Sequence, residues 1–323
     1  MATISKQLGK KGTTYKVRIR KPNSPTVTKT FSSKNFADKW ARKTELEIEE
    51  GVYFEKQISA SHTITDLIDR YLKEELNKLS ESDWHIRSRQ LNWWKDKLGK
   101  ITLNRITPAL LVEYRNILKT ETIYTSAKDK KGKLRSGSTV NRYMAALSAV
   151  FGIAVNEWQW VKENPFSRVR REKEADGRVR FLSKDERTAL LNACQQSKNT
   201  HLYVITVIAL STGMRQTEIM SMKWGQVDFD RNTITLFKTK NGETRVVPLV
   251  GLAKSILQEH GKVRSLKNPY IFKGRDHSYA NFPRKAWETV IKKAKIINFT
   301  FHDTRHSAAS ELAMNGASLH EIA

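Results

Sequence analysis

The sequence predicts an α+β chain, mostly helical, in three regions: a small β-rich domain over 1–55, a helical domain over 62–168, and a mostly helical domain with a small antiparallel sheet over 176–323. Three observations carry this. Tyr15-Lys16-Val17-Arg18-Ile19-Arg20 alternates strictly between apolar and basic residues, the period of a strand covered on one face. Ile64, Leu67, Ile68, Tyr71, Leu72 and Leu76 recur at helical spacing. Thr233–Phe237 and Thr244–Pro248 flank Lys238–Glu243, where Asn241-Gly242 is a hairpin turn signal.

The first region is expected to be a three-stranded sheet on one helix. Tyr15, Val17 and Ile19 share the inner face of a strand, leaving Lys16, Arg18 and Arg20 outside, where a basic face can enter a DNA groove. Pro22-Asn23-Ser24-Pro25 reads as a turn and Thr26–Phe31 as a further strand. Ser33 caps a helix running to about Glu50, with Phe36, Ala37, Trp40 and Leu46 on its apolar side. Gly51–Ser61 reads as a linker.

In the second region, Thr63 with Asp66 marks a capped helix start, and Thr107-Pro108 is a cap followed by proline at the first helical position. Ser138–Val155 reads as a long helix with Val140, Met144, Leu147, Val150 and Phe151 inward; the loop before it, 121–137, is polar and basic. The charged stretch Arg170–Arg178 is a second linker. In the third region, Ser183 and Glu186 form a capping box. Helices are expected over about 183–196, 201–212 and 215–223, then, after the hairpin, over about 251–266, 278–294 and 303–314.

Composition narrows the function. Lys+Arg number 58 against 33 Asp+Glu, a net charge of +25, and 39% of residues are hydrophobic. That apolar content supports packed cores, and the charge calls for a polyanionic partner, most often nucleic acid. Leu202–Leu210 is too short to span a bilayer, and Met1–Gly12 has no apolar stretch of a secretory signal. The single Cys194 excludes an intramolecular disulfide and a cysteine-cluster metal site, and fits a reducing compartment.

The sequence contains no Walker-type phosphate loop, no HExxH and no paired-carboxylate constellation. It offers cationic and imidazole groups near loops and helix starts: Arg215 within Gly213–Glu218, Lys240 at a hairpin tip, and His302-Asp303-Thr304-Arg305-His306 opening a late helix. Two guanidiniums can hold both non-bridging oxygens of a phosphodiester and stabilise a pentacoordinate transition state. An ammonium can protonate the leaving alkoxide, and a histidine can move a proton or hold the clamp. His302 and Arg305 at i, i+3 would share one helical face.

These segments resemble, in order, the motifs of the tyrosine recombinase (phage integrase) family. Thr212-Gly213-Met214-Arg215-x-x-Glu218 with Trp224, Val227 and Asp228 resembles its first-arginine box. Lys240–Leu249 resembles its lysine hairpin, and Phe301–His306 its HxxR box. Thr139–Tyr143 and Asn164-Pro165-Phe166 resemble its core-binding domain, and the N-terminal strands and helix resemble the arm-type binding domain of some integrases.

The resemblance implies a catalytic set of Arg215, Lys240, His302 and Arg305, with Glu218 bracing the first arginine and Asp303 and His306 in support. It implies DNA contacts by Lys16, Arg18, Arg20, Arg142 and Arg245, and no metal or other cofactor. Strands would be cut through a 3′-phosphotyrosine link, on duplex DNA with core and arm sites. The full-length form would work as a homotetramer, with accessory DNA-bending proteins, in the cytoplasm and nucleoid of a bacterial host.

One departure bears on activity. The family has a nucleophilic tyrosine beyond its HxxR box, but here no tyrosine follows Arg305; the last is Tyr279. Tyr270 and Tyr279 read as core or surface aromatics, and His320 carries no assignment. The expectation is therefore a recombinase cut short before its nucleophile, which binds DNA without cleaving it. The alternatives are a non-catalytic DNA-binding regulator derived from an integrase and, more weakly, a relaxase-like or type IB topoisomerase-like enzyme.

Overall fold

In a computed structural model of the protein, the N-terminal alternation becomes a sheet. Strands β1 (Ala2–Gly9), β2 (Gly12–Ile19) and β3 (Val27–Phe31) lie antiparallel in the order β1-β2-β3. The structure describes all residues except 1, 10–11, 23, 76–77, 79, 125–130, 178–179, 238–243, 266, 276–277 and 317–323. Val17 and Ile19 are buried with Ala37, Ala41 and Ile48 of helix α1 (Lys34–Glu49), whereas Arg18 and Arg20 are exposed and Lys16 is half-buried.

Two expectations for this helix fail. Phe36 is 66% exposed and Leu46 55% exposed. The buried stripe is Ala37, Ala41, Thr44 and Ile48, spaced four, three and four residues apart along one helical face, and Phe36 and Leu46 lie off it. The expected linker at Gly51–Ser61 is also corrected: Val52–Ser61 is helix α2. Gly51, at φ 74°, makes the left-handed turn between α1 and α2. Tyr53 then enters the sheet–helix core, its hydroxyl accepting from Gln57 Nε2 at 2.6 Å. Tyr53 thereby helps to pack this short helix.

Contacts divide the chain into two units, Met1–Asp176 and Gly177–Ala323. The first also holds a separate helical core, built by α3 (Ile64–Glu74), α4 (Glu81–Leu98), α5 (Pro108–Thr120) and α6 (Gly137–Asn156). Thr63 and Asp66 form the expected capping box, and Thr107 caps α5 ahead of Pro108. Val140, Met144, Leu147, Val150 and Phe151 are all buried, as the helical period required. Leu76 lies outside the described residues. Trp94, fully buried, donates from Nε1 to the Tyr143 carbonyl at 2.9 Å and stands edge-on to Phe166.

The first half of the charged linker is fastened to this core. Asn141 accepts from the Glu172 backbone N–H (2.8 Å) and donates to the Glu172 carbonyl (2.9 Å). The Glu172 carboxylate meets Lys119 and Arg115 at 2.8 and 3.1 Å, and these cations hold it below the usual carboxylate range. A β-carbon on Gly137 would stand 2.3 Å from the Lys173 carbonyl oxygen, so only glycine lets the strap pass.

The second unit packs α7 (Lys184–Gln195), α8 (Thr200–Thr212), the short α9 (Gln216–Met220), α10 (Gly251–Gly261), α11 (Arg284–Lys293) and α12 (Asp303–Met314) with a small sheet. The sheet runs β4 (Val227–Asp228), β5 (Thr233–Leu236) and β6 (Arg245–Pro248), antiparallel in that order. Apolar on almost every side, α8 is the central helix of the core. The Ser183–Glu186 capping box is present.

Three expected helices are shorter than predicted. The 215–223 helix stops at Met220, because Lys223 bridges to Tyr270 and the Trp224 N–H donates to the Pro269 carbonyl. The 251–266 helix stops at Gly261. The 278–294 helix begins only after Pro283, since the Ala280 N–H is bonded back to Phe272. Among the described residues, no helix is long and apolar enough to cross a membrane.

A half-buried imidazole pair should make this unit sensitive to acid. His201 and His260 stand edge-to-face, ring centres 5.3 Å apart, beside Phe272, with Trp224 near-parallel to His260. Burial lowers both histidines' pKa values, and the neighbouring charges of His260 and Lys273 lower that of His201 further. Both stay neutral in the fold after the unfolded chain has begun to take up protons near pH 6.5. Melting by circular dichroism should therefore give a constant midpoint above about pH 7 that falls as pH drops below about 6.5. A flat midpoint down to the carboxylate range would refute this origin of acid sensitivity.

Candidate functional site

The first arginine is placed by a helix ending. At the C-terminus of α8, Gly213 adopts φ 61°, its N–H still bonded to the Ala209 carbonyl. Met214 then drops into the core, 1% exposed, and anchors the turn. Arg215 follows at the N-cap of α9, its side chain 37% exposed.

Glu218 holds this corner together. Oε2 accepts the Arg215 backbone N–H at 2.8 Å, and Oε1 accepts Arg215 Nη1 at 2.8 Å. Oε2 also accepts Arg245 Nη2 at 2.9 Å, from the first residue of β6. Burial pushes the Glu218 pKa up, but these hydrogen bonds and the two arginine charges outweigh it and hold the carboxyl below its ordinary value.

The second arginine reaches the same corner from α12. Arg305 Nη1 donates to the Gly213 carbonyl at 2.6 Å, using the oxygen that the end of α8 leaves over. Burial, then the charges of Arg245 and Arg215, work against its charged form. Arginine nonetheless stays protonated in proteins. Three guanidiniums around one carboxylate leave an excess of two positive charges in a half-buried corner. An oxyanion seated there would relieve that repulsion and accept planar, charge-assisted hydrogen bonds.

The supporting residues divide. Asp303, 3% exposed, accepts from the Thr300 backbone N–H (2.7 Å) and hydroxyl (2.9 Å), fixing the turn into α12. Ser307, one turn along, donates to the Asp303 carbonyl and accepts the Leu182 N–H at 3.0 Å, tying α12 to the start of the unit. His302 is exposed at the N-cap of α12, its ring edge-on to the exposed His306 at 5.5 Å. Arg305 is bonded to the Gly213 carbonyl, and His302 is exposed to solvent. Lys240, Asn241-Gly242 and the terminal stretch with His320 lie outside the described residues.

Arg245, for which the sequence predicts a DNA contact, also makes an ion pair with Glu218 in the first-arginine corner, a pairing with no local trace because the partner is 27 residues away. The one available signal was its position at the start of the second hairpin strand.

The N-terminal sheet presents a second cationic face. Register places Arg18 between Thr3 and Thr28, and Lys16 between Ser5 and Thr30, so hydroxyls flank both cations on the side away from α1. Arg142 is exposed on α6. Such faces suit phosphate and base-edge contacts.

Comparison with known proteins places these features in a family. The model of the phage integrase family matches residues 180–323, and that of the phage integrase N-terminal domain matches 61–173. A shufflon-specific DNA recombinase of Escherichia coli is 32% identical over 254 residues, 77% of this chain. The chain spans only 61% of that relative's length. A putative integrase/recombinase of Haemophilus influenzae is 28% identical over 325 aligned positions, covering 96% of this chain and 81% of the relative. Among solved structures, the Tn1549 transposon integrase bound to circular intermediate DNA has a TM-score of 0.64 at 18% identity, covering 81% of this chain and 90% of its own. A lambda integrase dimer bound to a COC' core site has a TM-score of 0.62 at 17% identity, covering 97% and 88%. These two establish the likeness of fold.

Proposed function

Residues 61–173 and 180–323 make the chain a member of the phage integrase family, and from that premise we propose that it is a site-specific DNA recombinase or integrase of a phage or mobile element. The observation that carries the reading is the corner at Gly213, where Arg215, held by Glu218, and Arg305, bonded to the Gly213 carbonyl, arrive from different helices. In this reading the two guanidiniums clamp the scissile phosphate. Lys240 is the general acid to the 5′-hydroxyl leaving group and His302 handles a proton. Glu218 braces Arg215, with Asp303 and His306 in support. The bond energy is kept in a 3′-phosphotyrosine link, so the reaction needs no nucleotide cofactor.

The N-terminal sheet is the arm-site reader and 62–168 is the core-binding domain. Four protomers on two sites, with accessory DNA-bending proteins, form the working assembly. The bacterial sources of these relatives support a bacterial cytoplasm as the place of action. Replacing Arg18 and Arg20 with alanine should weaken arm-site binding in gel shifts by roughly tenfold or more and spare core-site binding. Equal loss at both sites would remove the arm-reader assignment.

Because no tyrosine follows Arg305 within these 323 residues, the 323-residue polypeptide should bind DNA and form no covalent link. Trapping an adduct on a suicide substrate would overturn this.

A further inference from the structure

We propose that Arg245 is a positioning residue for the phosphate site, acting through Glu218 to set the guanidinium of Arg215; the proposal rests on the phosphodiester reading of the Arg215–Arg305 corner. Glu218 has two oxygens and three donors. Oε2 is shared by the Arg215 backbone N–H (2.8 Å) and Arg245 Nη2 (2.9 Å), and Oε1 is left for Arg215 Nη1 (2.8 Å). Arg245 thereby fixes the rotation of the carboxylate. With it in place, Glu218 takes one edge nitrogen of Arg215 and leaves the rest of the fork for a ligand. Without it, both oxygens are open to Arg215, and a bidentate pair would turn that fork away.

One feature argues against a purely structural ion pair. Arg245 Nε is buried and has no hydrogen-bond partner among the described residues, a cost that a residue kept only for stability would not carry. Nη2 is committed to Glu218, so the residue reaches Arg215 through the carboxylate. Arg245 opens β6, paired with Leu236, so the hairpin and the Arg215 corner are locked to one another at its base.

The test uses the 323-residue chain labelled with ¹⁵N-arginine, with inorganic sulfate as probe. In the wild type, the Nε–H signals of Arg215 and Arg305 should shift together and saturate at one midpoint. Arg245→Lys keeps the charge and loses the planar fork. It should raise that midpoint by at least about threefold and move the Arg215 signal in the sulfate-free protein, with a thermal midpoint close to wild type. In a Glu218→Gln background, Arg245→Lys should have no further effect on sulfate. An unchanged midpoint in Arg245→Lys would overturn the positioning role, as would equal effects of Arg245→Lys with and without Glu218. If Arg245→Lys unfolds, the wild type against Glu218→Gln decides: an unaltered Arg215 signal and midpoint overturn the role. Absence of saturable shifts at Arg215 and Arg305 in the wild type would instead defeat the underlying phosphate reading.

Discussion

Arg215→Ala, in a protein that carries a tyrosine beyond residue 323, should lower strand cleavage by about three orders of magnitude or more. In the proposed clamp, the change removes one of two guanidiniums offered to a single phosphate, and the low dielectric of a half-buried corner would magnify that loss. DNA affinity should fall by less than about tenfold, because one charge among a net +25 contributes little to the whole electrostatic grip. The fold should survive: Glu218 keeps its bond from the backbone N–H of residue 215 and its pair with Arg245. Covalent trapping on a suicide substrate, run beside gel shifts, reads both quantities. Unchanged cleavage would disprove the role of Arg215.

Trp94→Ala should be the most destabilising single change in the helical core. The indole is fully buried, bonded to the Tyr143 carbonyl, and packed edge-on between Trp93 and Phe166. Removing it costs about 3–5 kcal/mol through lost burial and the cavity left behind. That is a large fraction of the roughly 5–15 kcal/mol that holds a typical domain together. Urea unfolding followed by circular dichroism should show an early transition with loss of helical signal, and Trp94→Phe should recover part of it. A midpoint unchanged in Trp94→Ala would refute the packing account.

What the sequence made legible was local. The capping boxes at Thr63 and Ser183 and the alternation at Tyr15–Arg20 depend on residues within a few positions of one another. What stayed hidden was set by distant partners. Phe36 and Leu46 are apolar enough to suggest a core face, but the stripe that meets the sheet runs through Ala37 and Ala41. Helix α2 has weak periodicity and depends on Tyr53 reaching a core made by other elements. In the candidate site, the order of motifs pointed to Arg215 and Arg305. The bond from Arg305 to the Gly213 carbonyl spans 92 residues, and the one from Arg245 to Glu218 spans 27; neither has a periodic trace.

The central claim is that this charge is organised to grip the phosphates of duplex DNA. Its most direct test is the salt dependence of duplex binding by the 323-residue chain. A protein neutralising about 6–10 phosphates should lose roughly 10³–10⁵ in affinity between 50 and 200 mM salt, along a straight line of log affinity against log salt. A shallow or absent dependence, or no binding at low salt, would contradict the account.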